Sequence, residues 1–223
     1  SWTASLFIDL VHEFYQREKP SRKVKTKAKG LIAPHVVLNK GAVPQMAPDD
    51  LAGALMQSIK VLRNAFYDTS RGRVDYDAVR RSTQYKAYRR LANGLREFDL
   101  QGLVGRRNKL SFWVNVYNNI VVHGIISENI TQSVQEAPGL FSRLKYQIGK
   151  HLFSADDIEH GVLRGNARPW FHVTRQWGPK DPRKAWMLKP VDPRIHFALV
   201  CGSRSCAPID YYHAATIYEQ LEA

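Results

Sequence analysis

The chain's two cysteines stand five positions apart, in Cys201-Gly202-Ser203-Arg204-Ser205-Cys206, directly after an apolar run that starts at Ile195. A thiol attacks as the thiolate, which at neutral pH needs an imidazole or a helix N-terminus nearby. The imidazole in turn needs a carboxylate or amide to orient it. Cys206 or Cys201 can supply the nucleophile, with His196, His160 or His123 as the base. Glu159, Asp157 or Asn115 can serve as the orienting group. Such a set would make a hydrolase or transferase. The plainer alternative is that Cys201 is a small apolar residue ending a buried strand, as free cysteines often are. No local signature of a cysteine-protease family accompanies it.

Other chemistries fit the same residues less well. Cys201-x4-Cys206 with His196 and His213 nearby is at the loose end of zinc-ligand spacing, and a second regular Cys/His pair is missing. The two thiols can pair, but the spacing is not the Cys-x-x-Cys of a redox motif. Neither a metal nor a cofactor is therefore expected. Arg194 and Arg204 flank the Gly/Ser loop and suit an anion, and Arg164 joins them as a binding candidate; a salt bridge to Asp or Glu is an equal reading for each. Asn115, Asn118 and His123 fall at spacings that place them near one helix face, where they bind something or form a buried hydrogen-bond network that anchors the loop.

The elements that must position these residues are readable from periodicity. Residues 3–16 suit an amphipathic helix, with Thr3 as cap and Leu6, Leu10, Val11, Phe14 and Tyr15 as its stripe. Pro48-Asp49-Asp50 caps a helix in which Leu51, Leu55, Ile59, Leu62 and Phe66 recur at helical spacing. A further helix carries Tyr85, Tyr88 and Leu91. Residues 109–126 are apolar around nearly the whole circumference, which belongs at the centre of a domain. Tyr146 to Phe153 alternates about a Gly149-Lys150 turn as a small hairpin. Ser154 and Asp157 form a capping-box start to a helix ending near Gly165. Residues 166–193 read as a long loop, 195–201 as a buried strand, and 211–223 as a last helix with Ala215, Ile217, Tyr218 and Leu221 inward. The fold class expected is α+β: a small, mostly antiparallel sheet containing residues 195–201, packed on the central buried helix 109–126, with several helices around it.

Composition bounds the function. At 223 residues and 44% hydrophobic, the chain can bury one substantial core, so residues 48–223 are expected to be one domain behind a helix and basic arm at 1–47. The net charge is +13, and Arg17, Lys19, Arg22, Lys23, Lys25, Lys27 and Lys29 supply seven cations against the single acid Glu18. Such a run is a solvated segment or an arm for an acidic partner or RNA, though no RNA- or DNA-recognition signature accompanies it. No stretch reaches the ~18–20 apolar residues of a membrane span. With only two cysteines, a reducing intracellular compartment is expected. The start at Ser rather than Met is compatible with organellar import and removal of a presequence.

Three ordered motifs carry a family resemblance: Phe112-Trp113-Val114-Asn115-Val116-Tyr117-Asn118 with His123; Phe153-Ser154-Ala155-Asp156-Asp157-Ile158-Glu159-His160-Gly161-Val162-Leu163-Arg164; and Asp192-Pro193-Arg194-Ile195-His196-Phe197-Ala198-Leu199-Val200-Cys201-Gly202 with Ser205-Cys206-Ala207-Pro208. They resemble domain of unknown function 547 over about residues 65–223. The resemblance implies a domain that elsewhere occurs in secreted bacterial proteins, or behind coiled-coil, glutaredoxin or DEP modules in eukaryotes; none of those modules is recognisable here. Where that family usually has Ser-Cys-Pro-Pro, this chain has Ala207 in place of the first proline. Two functions follow as expectations. The first is a non-catalytic interaction subunit of a larger assembly, docking through the basic arm; the second is the Cys/His hydrolase or transferase.

Overall fold

The computed structural model describes residues 34–45, 50–68, 73–130, 134, 137–167, 174–200 and 210–223. By its contacts the chain divides into Ser1–Pro34 and His35–Ala223. The helix expected over 3–16, the basic arm at 17–29, and Cys201, Arg204 and Cys206 lie outside the described residues.

Helix α1, Leu51–Ala65, starts where Asp50 accepts the Gly53 N–H at 3.0 Å. Its buried stripe is Leu51, Leu55, Met56, Ile59 and Leu62. Gly53 costs helix stability, but it makes room: a Cβ there would meet the Tyr211 hydroxyl at 2.4 Å. Strands β2 (Tyr67–Asp68) and β3 (Arg73–Val74) form a short ribbon leading to α2, Tyr76–Arg81. Ser82 then caps α3, Thr83–Asn93, which buries Tyr85, Tyr88 and Ala92 and leaves Lys86, Arg89 and Arg90 exposed.

The centre is α4, Arg106–Ser127, in which every residue from Leu110 to Ile126 is buried. It has no solvent-facing side from Leu110 to Ile126 because α1, the π-helical segment described below and strand β4 (Leu144–Ile148) all pack on it. Gly124 lets β4 approach, since a Cβ would lie 2.6 Å from a Leu144 methyl. After α5, Leu140–Arg143, the strands β4 (Leu144–Ile148) and β5 (His151–Ser154) make the expected hairpin, with Gly149 at φ +54° in its turn. Strand β1, Val36–Val37, pairs parallel with β4, so the small sheet is mixed, in the order β1-β4-β5. The Asn39 side chain latches that pairing from its end: its Nδ2 donates to the Gln147 carbonyl (2.8 Å) and its Oδ1 accepts the Gln147 N–H (2.9 Å).

The α+β architecture therefore holds, with one displaced element. Residues 195–200, the described part of the expected strand, are not a strand of the sheet. Ile195–Ala198 is a short helix, α6, and Leu199–Val200 continues without strand pairing. The cause is local. Asp192 accepts the Arg194 N–H, and Ile195, His196 and Phe197 each donate back three residues, which coils the chain. Phe197 is 66% exposed, so the apolar run is not buried on both faces as the strand reading requires. The last helix is also shorter than expected. Only Ile217–Gln220 (α7) is helical, and Ala215, expected to point inward, is exposed.

Candidate functional site

Three asparagines on α4 could be ligands or ties, and their partners are main-chain groups and, for Asn119, the Tyr88 hydroxyl. Asn115 donates to the Tyr212 carbonyl (2.8 Å) and accepts the Tyr212 N–H (3.0 Å). Asn118 does the same across a longer gap, donating to the Ala198 carbonyl (3.0 Å) and accepting the Val200 N–H (2.9 Å). A carboxamide has a donor and an acceptor side by side, which matches a strand-like backbone edge. Asn119 donates to the Asn115 carbonyl and accepts from the Tyr88 hydroxyl. About one turn of α4, from Asn115 to Asn118, thus holds the two segments that flank residues 201–209.

His123 stands apart from those segments. Its Nδ1 meets the Tyr146 hydroxyl at 2.9 Å, and that hydroxyl meets Tyr88 at 2.9 Å. Burial, with the Arg89 charge nearby, drives the His123 pKa down to about 3, so it is neutral in the fold. Tyr88 and Tyr146 are likewise pushed up by burial.

The third group surrounds Glu159. Ser154 and Asp157 cap each other reciprocally, Ser154 N–H to Asp157 Oδ2 at 3.0 Å and Asp157 N–H to Ser154 Oγ at 3.1 Å. The segment they open, Asp157–Leu163, is a π-helix, a form often found at functional sites. Burial by itself would raise the Asp157 carboxyl. Hydrogen bonds from Gln176, the Ser154 N–H and Trp177, with the charge of Arg183, outweigh it and hold the group below its ordinary value. Glu159 receives both Nε and Nη2 of Arg164 on Oε1 (3.1 and 2.9 Å), and the Tyr117 hydroxyl on Oε2 (3.4 Å). His196 on α6 lies close enough to feel both charges. Burial and then Arg164 lower its pKa against the pull of Glu159, leaving a neutral imidazole at pH 7. Asp156 is pushed up to about 7 by burial and by its neighbours Glu159 and Asp157, opposed by Lys145.

The fold therefore gathers Glu159, Arg164 and His196, and ties the loop ends through Asn115 and Asn118. It keeps His123 separate. His160 lies in the π-helical segment, its carbonyl accepting the Asn166 N–H. Arg194 is held by Asp192 (2.8 Å) and Glu222 (2.7 Å), the salt-bridge alternative. Helical spacing reads Tyr117, with Trp113, as core, and the sequence does not single out Asp156; the structure also gives the Tyr117 hydroxyl to Glu159. Three carboxylates within Asp156-Asp157-Ile158-Glu159 are the available signal for Asp156; nothing in the sequence pairs Tyr117 with Glu159. A cleft of about 650 Å³ adjoins Asn115, but its acids are engaged: Asp50 caps α1 and accepts the Tyr211 hydroxyl, and Asp99 accepts the N–H groups of Gln101 and Gly102. Among the described residues, no group of three His, Cys, Asp or Glu side chains is arranged to hold a metal ion, and no helix is long and apolar enough to cross a membrane.

The family model described as "Protein of unknown function, DUF547" matches residues 100–223. The chain belongs to this family. No curated protein matches it, and no solved structure does. The DUF547 match takes in α4, the hairpin, the π-helical segment and α6, and so all three groups above except Tyr88. Helices α1 to α3 precede it and cover part of α4, and strand β1, also outside the match, pairs with β4.

Proposed function

We propose that this DUF547 chain is a non-catalytic interaction subunit of a larger assembly, docking on an acidic surface through its cationic segments. The observation that carries this reading is the use made of α4. Asn115 and Asn118 each give both hydrogen-bonding sides of their amides to loop backbone. Side chains committed in that way hold a scaffold together and are not available to a substrate. The cations of the arm, Arg17 to Lys29, then supply sequence-independent attraction to acidic protein or RNA. The test is a binding titration of the full chain against an acidic peptide and an RNA, at about 50 and about 300 mM salt. Binding at low salt, weakened when the seven arm cations are replaced by Gln, is expected. A chain that binds neither probe at low salt sinks the reading.

A second reading, a thiol-dependent hydrolase or transferase using Cys206 or Cys201, is favoured by His196. Burial and the Arg164 charge lower its pKa against the opposing pull of Glu159, which favours the unprotonated imidazole that a general base needs. Iodoacetamide decides it: a cysteine alkylated near pH 7 much faster than a model thiol, with the excess lost in His196→Ala, supports it. Ordinary thiol rates at both cysteines exclude it.

A further inference from the structure

The folded unit carries a second cationic surface, independent of the arm. Along α3 the exposed side chains are Thr83, Gln84, Lys86, Ala87, Arg89 and Arg90. At 100° per residue Thr83, Lys86, Arg89 and Arg90 fall within one arc, opposite the buried Tyr85, Tyr88 and Ala92. No acid occurs anywhere in α3. The nearest acid before it, Asp77, is already paired with Arg80. Lys86, Arg89 and Arg90 make no ion pair among the described residues. At the C-terminal end of α3, Asn39 donates to the Ala92 carbonyl and the Gly41 N–H to Asn93 Oδ1, so the exposed Lys40 lies close to that end of the helix. One cation in the last turn answers the helix dipole, and Arg90 suffices for that. Lys86, Arg89 and Lys40 need another reason.

We propose that this face of α3 binds the phosphate backbone of double-stranded RNA. The proposal rests on the docking reading above and names a partner and a surface for it. The chemistry of the face selects among acidic partners. Two of its three helical cations are arginines, whose planar forks suit phosphate oxygens. None of the large exposed apolar side chains, Val61, Tyr67, Val104, Val191 and Phe197, lies on α3. A protein interface would want an apolar or aromatic anchor there, a membrane surface an apolar face, and a single strand an aromatic platform for its bases. A convex helix face whose only exposed apolar side chain is the small Ala87 suits the wide, shallow minor groove of A-form RNA, where phosphates and 2′-hydroxyls are both displayed. Thr83 gives its proton to Gln84 Oε1 at 3.2 Å, so its oxygen stands beside Lys86 as an acceptor for a 2′-hydroxyl.

The experiment uses the full chain and a 20-base-pair RNA duplex, followed by fluorescence anisotropy across a salt series. Two variants run beside the wild type: the face variant Lys86→Gln/Arg89→Gln/Arg90→Gln, and an arm variant with Lys23, Lys25, Lys27 and Lys29 replaced by Gln. Circular dichroism melts confirm that both are folded. Three lost phosphate contacts lower the slope of log K against log salt by about 2.7, so between about 50 and 200 mM salt the wild type should lose about 40-fold more affinity than the face variant. A face variant with the wild-type affinity and slope overturns the proposal; if the arm variant is then weakened, the docking reading survives alone. A wild-type chain that binds no polyanion overturns both. DNA duplex bound as tightly as RNA, or face-dependent binding only to polyglutamate or anionic vesicles, overturns the choice of partner.

Discussion

Replacing Asn118 by Ala should be the most damaging change of a single polar side chain on α4. Asn118 is fully buried, and its amide is the partner of the Ala198 carbonyl and the Val200 N–H. Truncation strands both groups, at about 1–3 kcal/mol each, so a total of about 3–4 kcal/mol is expected. That is a large share of the ~5–15 kcal/mol by which domains are stable, and at roughly 2–4 °C per kcal/mol it lowers Tm by about 6–16 °C. Asn119→Ala is the internal control. It is as buried, but its donor goes to a carbonyl of its own helix and Tyr88 keeps its bond to Tyr146, so about 1–2 kcal/mol is expected. Asn118→Asp keeps the acceptor for Val200 but turns a carboxylate toward the Ala198 carbonyl, and should cost at least as much as Ala. Urea unfolding gives the energies, and hydrogen exchange at the Val200 amide gives the local effect. If Asn118→Ala costs no more than Asn119→Ala, or leaves that amide protected, the backbone-clamp argument is wrong.

Gly161→Ala would put a Cβ 2.4 Å from the Trp177 ring, which Asp157 pins by a 2.9 Å bond to Nε1. The ring cannot step aside, so destabilisation of about 1–3 kcal/mol and altered tryptophan fluorescence are expected; an unchanged melt would show the ring to be movable. Acidity should act through two groups with opposite signs. Between pH 3 and 6.5 the unfolded chain binds a proton that buried His123 refuses, so acidification across that window costs about 1.4 kcal/mol per pH unit. Between pH 3.8 and 7 the fold keeps a proton on Asp156 that the unfolded chain has released, so raising the pH there costs a similar slope. Asp156→Asn should therefore stabilise the protein at about pH 8 and lose that advantage by about pH 4. Urea midpoints across the range test this, and a pH-independent difference contradicts it.

Legibility in the sequence followed the range of the interactions. The Asp50 cap and its apolar stripe, the all-round apolar α4, the Gly149 turn and the Ser154/Asp157 box are short-range patterns, and each forms the element expected. The run at 195–200 misled because an apolar stretch of that length suits a strand or a short helix equally, and the Asp192 turn that coils it lies upstream of the run. Strand β1 was invisible for a different reason. Its two residues acquire their form from β4, far along the chain. In the candidate site, the asparagines of α4 were conspicuous because amides are costly to bury, but their partners are backbone atoms, which no residue type announces. The gathering of Glu159 with Arg164 is local; its approach to His196 and Tyr117 is a product of packing.

The Asn39 latch has a consequence for the order in which the protein is made. Asn39 and Gln147 are 108 positions apart, so at ribosomal rates of about 5–20 residues per second the first waits roughly 5–20 s for the second to be synthesised. During that interval Val36 and Val37 have no β4 to pair with, and the arm before them is already outside the ribosome. Only when the hairpin closes can Val36 and Val37 pair with β4 and Asn39 close on Gln147. A nascent chain stalled before Gln147 should therefore leave residues 36–39 open to protease, and one stalled well beyond Ser154 should protect them.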